Sequence, residues 1–191
     1  MKFKVVSIKT NHQDIHIYDT FEIVGNSNEA GNAHFFQPSR SIFLNGVLQS
    51  TSRGKEAYHE TLVHPAMFAH ESPKNVAIIG GGDGATLREV LKHKTVEKVL
   101  MLSIDKTFVE LSHEYLTSWN DCSDLINSTS SCFDDPRVQL ISGESVHRFF
   151  QRLSNNEPTK FDVISSVQRF IQRVTNYESE IKFDVIIVDA K

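Results

Sequence analysis

The residues with the most chemical content are Gly80-Gly81-Gly82-Asp83-Gly84. Glycines let a backbone turn tightly and approach a ligand closely, and a helix that follows them offers N–H groups at its start. Nucleotide-binding turns of this kind usually face a pyrophosphate, which a carboxylate would repel. Asp83 inside the run therefore points to a ligand with positive charge, such as a sulfonium or an amine. Aspartate is also favoured as a helix cap. The motif alone leaves both roles open.

Such a motif must sit between a strand and a helix. Residues 75–79 form a short apolar run that reads as a buried strand, and residues 85–91 place Leu87, Val90 and Leu91 at helical spacing. Further strands are expected at 98–104, 138–141 and 183–188. A second helix is expected over 107–116, with Phe108, Leu111, Tyr115 and Leu116 on one face. Apolar strands alternating with amphipathic helices imply a doubly wound parallel sheet in an α/β fold. Residues 117–134 are rich in Ser, Asn and Asp and read as a long surface loop. A helix is expected over 56–70, kinked or divided by Pro65.

The first part of the chain reads differently. Segments 3–8, 15–18 and 41–44 are alternating or β-branched, and Asn45-Gly46 is a strong hairpin signal. Residues 25–32 are a loop by composition. The expected division is a small N-terminal β-rich domain over 1–54, then the α/β domain over 55–191.

Composition narrows the function classes. The chain has 191 residues, 39% of them hydrophobic and 23% charged, which are ordinary globular values. A formal net charge of −4 argues against a nucleic-acid partner and suits a cationic substrate. There is neither an apolar run of spanning length nor a secretory leader pattern, so a cytoplasmic location is expected. Cys122 and Cys132, the only cysteines, lie in the polar segment and are expected as two free thiols. The nine histidines show no metal-ligand spacing, and no metal is expected.

One pattern is unusual. Ser145-Val146-His147-Arg148-Phe149-Phe150-Gln151-Arg152 is echoed by Ser166-Val167-Gln168-Arg169-Phe170-Ile171-Gln172-Arg173, and Lys160-Phe161-Asp162-Val163-Ile164 recurs at Lys182-Phe183-Asp184-Val185-Ile186. This reads as a tandem copy of a helix-plus-strand unit over 145–186, too few copies for a solenoid. Only the second copy ends in an aspartate, Asp189.

The stretch 45–105 resembles the spermidine synthase family of polyamine aminopropyltransferases. The likeness rests on Asn45-Gly46-Val47-Leu48-Gln49, Tyr58-His59-Glu60, His64-Pro65, the run 78–89 and Ile104-Asp105. His12-Gln13-Asp14-Ile15, Phe133-Asp134-Asp135-Pro136-Arg137 and residues 183–190 extend it across nearly the whole chain in order. The resemblance implies a Rossmann-like sheet of the methyltransferase type. It implies transfer of an aminopropyl group from decarboxylated S-adenosylmethionine to an amine such as putrescine or spermidine, releasing methylthioadenosine. It also implies a homodimer or homotetramer, assembled through the N-terminal region.

By the same resemblance, Asp189 is the base that orients and deprotonates the amine, and Tyr58 lines the passage between donor and acceptor. Asp83 holds the donor's ammonium within the loop Gly80, Gly81, Gly82 and Gly84. Gln13 and His59 help seat the donor, and Glu144 contacts its adenine side. The position of Asp189 also makes sense without the family, since ligands of open α/β sheets sit at the carboxyl ends of strands.

The sequence departs from the family pattern in three places. Ser103 stands where the family has an acidic residue gripping the ribose hydroxyls, and Asp105 would point the same way if the strand continued. Glu144 stands where an aspartate is usual. Family members continue past the catalytic strand with an acidic-proline segment, a gating loop and further strands, whereas this chain stops at Lys191, so an incomplete sheet is expected. Two other readings stay open. A class I methyltransferase would share the architecture, but Asp83 would repel its donor's carboxylate. An inactive paralogue that only associates with an active subunit would account for Ser103 and the duplication.

Overall fold

A computed structural model describes residues 2–24, 35–127, 129–143 and 183–189 of the chain. It divides into two compact units, residues 1–58 and 59–191.

The N-terminal unit is an antiparallel meander in the order β1-β2-β3-β4, comprising β1 (Lys2–Lys9), β2 (Asp14–Val24), β3 (Phe35–Leu44) and β4 (Val47–Thr51). Period-2 alternation sends Ile15 and Ile17 of β2 to the buried face, where Ile17 lies opposite Ile42 of β3. Asn45 and Gly46 both take positive φ, 51° and 78°, as a tight two-residue hairpin requires. Arg40 grips its cross-strand partner Asp19 through two 2.7 Å hydrogen bonds, which hold the Asp19 carboxyl below its ordinary range. The unit begins the helix α1 (Lys55–Phe68), most of which belongs to the second unit.

The second unit holds a parallel sheet in the order β7-β6-β5-β8. Its strands are β5 (Asn75–Gly80), β6 (Lys98–Ser103), β7 (Val138–Ser142) and β8 (Val185–Asp189). The chain steps outward from β5 through β6 to β7, then returns to the far side of β5 with β8. That reversal puts a topological switch point at the carboxyl end of β5, where open α/β sheets bind ligands. The strands read as apolar runs because both faces are covered: Val76, Ile78, Val99, Met101 and Ile187 join one core cluster, and Ala77, Ile79, Leu100 and Leu102 another. Asp184 fixes the start of β8, accepting the backbone N–H groups of Lys74 and Asn75 at 2.7 and 2.8 Å.

Helix α2 (Ala85–Leu91) follows β5, and α3 (Lys106–Tyr115) follows β6. Three expectations change here. Pro65 lies inside α1 without dividing it, and the helix continues far enough for Ala69 N–H to reach the Pro65 carbonyl at 3.1 Å. Residues 117–134 are not a surface loop. They contain the short helix α4 (Thr117–Asn120) and a 3-10 turn (Cys132–Asp134), and Trp119, Asn120, Cys122 and Cys132 are buried. The two cysteines are not free thiols but form a disulfide, their Cα atoms 5.0 Å apart. The segment folds back on itself, with Cys122 bridged to Thr129, and this brings the two sulfurs together. The tandem copies over 145–173 and Glu144 lie outside the described residues. Among the described residues no helix is long and apolar enough to cross a membrane.

Candidate active site

The glycine loop turns from β5 into α2 around a crowded point. Gly84 takes a φ of 85°, and a Cβ there would come within 2.6 Å of Asn120 Cβ. At Gly82 a Cβ would meet the Phe108 ring at 2.7 Å. Both positions need glycine, one for conformation and contact, the other for contact alone. Asn120 is held in place by its own bonds: its amide donates to the carbonyls of Ser112 and Leu116 at 3.1 Å, and Ser131 Oγ donates to its side-chain oxygen at 2.9 Å.

Inside that turn Asp83 is buried, and its Oδ1 accepts the N–H of Ala85 at 3.0 Å. Asp83 thus satisfies the first N–H of the helix with one oxygen, from the position before the cap residue Gly84. The other, Oδ2, lies 3.8 Å from His59 Nε2. His59 projects from α1 and is 1% exposed.

Asp189 reaches the same place from β8. It pairs in register with Gly80, and its carbonyl accepts the N–H of Gly81 at 3.1 Å. Its Oδ2 lies 4.0 Å from His59 Nε2 and accepts the Thr86 hydroxyl at 2.7 Å. Two carboxylates and one imidazole thus converge within 4.8 Å of one another, all buried, at the carboxyl end of the parallel strands. Two carboxylates this close favour a cationic guest over an anionic one. The first turn of α2 holds both carboxylates, Asp83 through a backbone N–H and Asp189 through a hydroxyl.

The other expected site residues are placed as follows. Ser103 ends β6 and is buried, with its Oγ 3.4 Å from where a Gly82 Cβ would sit. Asp105 does not continue the strand, because β6 stops at Ser103. It caps α3 instead, accepting Phe108 N–H at 3.2 Å, so the premise for its ribose contact fails. Gln13 and Tyr58 belong to the N-terminal unit. Gln13 N–H donates to Thr10 Oγ1 at 3.0 Å just before β2, and Tyr58 on α1 is 45% exposed.

Thr86, Asn120 and Phe133 complete this environment without having been singled out in the sequence. Thr86 carried a readable signal, a polar residue on the helix face that also presents Leu87 and Val90 for burial. Asn120 and Phe133 carried none, since only the folding back of 117–134 brings them to Gly84.

A second group, Glu60, His64 and Glu89, has ligand atoms equally close together. Here Lys92 already supplies the cation, donating to both oxygens of buried Glu89 at 2.7 and 2.6 Å. His64 Nε2 lies 3.2 Å from Glu89, and its Nδ1 shares a 2.9 Å hydrogen bond with His93 Nε2. This cluster ties α1 to α2.

Comparison with known proteins gives the chain its family. The model of the spermine/spermidine synthase domain matches residues 55–170. A polyamine aminopropyltransferase of Thermococcus onnurineus is 38% identical over 164 residues, covering 86% of this chain and 48% of that protein. Polyamine aminopropyltransferase 1 of Hyperthermus butylicus is 44% identical over 125 residues, covering 65% of this chain and 39% of that protein. The crystal structure of spermidine synthase from Thermotoga maritima superposes with a TM-score of 0.63 at 28% identity, over 98% of this chain and 48% of that one. A spermidine synthase solved with the transition-state analogue AdoDATO gives a TM-score of 0.64, also at 28% identity, over 98% of this chain and 46% of that one. The chain spans about half, or less, of the length of these relatives. A domain model matching more than half the chain, and a switch-point site of two carboxylates beside a glycine loop, together identify the chain as a member of the spermine/spermidine synthase family.

Proposed function

We propose that this chain carries the donor site and base of a polyamine aminopropyltransferase. The observation that carries the reading is the convergence of buried Asp83 and Asp189 on one point beside the glycine loop. The co-substrate is decarboxylated S-adenosylmethionine, a cation at both its sulfonium and its ammonium. Asp83 holds that ammonium, and Ser103 faces the nucleoside side. His59 helps seat the donor. The likeness to a spermidine synthase that binds AdoDATO supports this assignment.

An acceptor amine is protonated at neutral pH and must lose a proton before it attacks. Asp189 takes that proton. The nitrogen lone pair then forms a bond to the carbon next to sulfur, the C–S bond breaks, and its electron pair stays on sulfur. Methylthioadenosine leaves as a neutral thioether. Holding the two reactants in line supplies much of the acceleration. A homodimer or homotetramer built through the N-terminal unit, in the cytoplasm, belongs to the same reading.

The test is transfer itself. Incubation with decarboxylated S-adenosylmethionine and putrescine or spermidine should yield methylthioadenosine, and Asp189→Asn should reduce the rate by at least about a hundredfold. Transfer undiminished in Asp189→Asn would refute the role of the base.

A further inference from the structure

We infer that Thr86 is a positioning residue for Asp189, setting the orientation of the carboxylate that takes the amine's proton. The inference rests on the aminopropyl-transfer reading and deepens it. Thr86 is the second residue of α2 and fully buried. A hydroxyl has one proton to give, and this one goes to Asp189 Oδ2 at 2.7 Å.

The space around the carboxylate is shaped for that bond. Beside this bond lies Gly81, where a Cβ would stand 3.2 Å from Asp189 Oδ2 and 3.4 Å from Thr86 Cβ. The missing side chain at Gly81 leaves room for the carboxylate next to Thr86, and the hydroxyl fixes its rotation there. The backbone of Asp189 is already fixed by its register with Gly80, so the hydroxyl governs the remaining degree of freedom. The titratable groups facing this carboxylate are His59, 4.0 Å from the same oxygen, and Asp83, itself 3.8 Å from His59.

A carboxylate held by this hydrogen bond points one way, which serves a base that must meet the amine's proton at hydrogen-bond distance.

Thr86→Val removes the hydroxyl and keeps the shape. In the full chain we expect kcat to fall about tenfold, with KM for the donor within about twofold. Thr86→Ser, which keeps the hydroxyl, should restore kcat. If Thr86→Val does not fold by circular dichroism, Thr86→Ala takes its place in the comparison. A hydroxyl-free variant with the wild-type kcat, or a serine variant no better than valine, would overturn the inference and leave Thr86 a packing residue. If wild type itself shows no transfer, the functional reading fails, and carbon-13 NMR of the labelled Asp189 carboxyl tests Thr86 alone. Its chemical shift should move in Thr86→Val and return in Thr86→Ser; an unchanged shift would overturn it.

Discussion

Asp189 is the residue of β8 that pairs with Gly80, the last residue of β5, so strand register alone delivers its carboxylate to the mouth of the glycine loop. The side of the loop nearest it is Gly81, whose φ is 63°. Gly81→Ala would place a methyl 3.2 Å from Asp189 Oδ2 in a conformation that L-residues avoid. Transfer activity should drop more than about tenfold while the urea midpoint falls only modestly, by the equivalent of about 1–2 kcal/mol. Unchanged turnover in the alanine variant would separate the carboxylate from this contact.

Gly84 predicts the opposite balance. A Cβ there would meet Asn120 Cβ at 2.6 Å and the Phe133 ring at 2.9 Å, both rigid neighbours. Gly84→Ala should therefore destabilise the fold by about 2–3 kcal/mol or more, through overpacking added to left-handed strain. Chemical denaturation of the purified variant checks this.

The disulfide gives a direct chemical prediction. Thiol titration of the denatured, unreduced chain should find no free cysteine, because Cys122 and Cys132 are bridged. Reduction, or Cys122→Ser with Cys132→Ser, should lower stability by about 2–4 kcal/mol. Two titratable thiols in the unreduced chain would contradict the bridge.

Asp135 links the end of that segment to the sheet. It is 2% exposed and accepts from Arg137 Nε and Nη2 at 2.9 and 2.8 Å and from Asn127 at 3.0 Å. Burial alone would raise its titration, but the bonds from Arg137 and Asn127 outweigh it and hold the carboxyl below its ordinary range. A carboxyl depressed in the fold adds stability that is complete above the unfolded value near 4 and is lost as pH falls towards the folded one. Asp135→Asn should cost about 3 kcal/mol near neutral pH, and the gap to wild type should narrow in acid. Urea melts at the two pH values read it.

His93 works with the reverse chemistry and the same direction of pH. Burial, then repulsion from His64, pushes its imidazole below the ordinary value. The folded state prefers neutral His93, so this contribution is complete above about 6.5 and is lost as pH falls through the window below it. His93→Gln should flatten the loss of stability between about pH 7 and pH 5. An unaltered slope would contradict it.

The strands of the parallel sheet were legible because burial on both faces demands apolar runs, and 75–79 and 183–188 contain little else. The turn into α2 was legible because only glycine tolerates its geometry. The hairpin at Asn45-Gly46 was legible for the same backbone reason. The fold of 117–134 was hidden by its polar composition. Asn120 and Ser131 are buried because they satisfy each other and the α3 carbonyls, a pairing across sequence that no local pattern displays. Asp105 was misplaced by one assumption, that β6 ran past Ser103. Of the two carboxylates, Asp83 was legible from the loop alone, while the partnership of Thr86 with Asp189 joins residues 103 positions apart.

Calorimetric titration with decarboxylated S-adenosylmethionine and with methylthioadenosine, on wild type and Asp83→Asn, tests the central claim most directly. Only the first ligand carries the ammonium. The account predicts that Asp83→Asn weakens the decarboxylated donor by about 10–100-fold, the loss of one charge-assisted hydrogen bond, and methylthioadenosine by less than about threefold. Equal weakening of both ligands, or none, would contradict the assignment of Asp83 to the donor's positive charge.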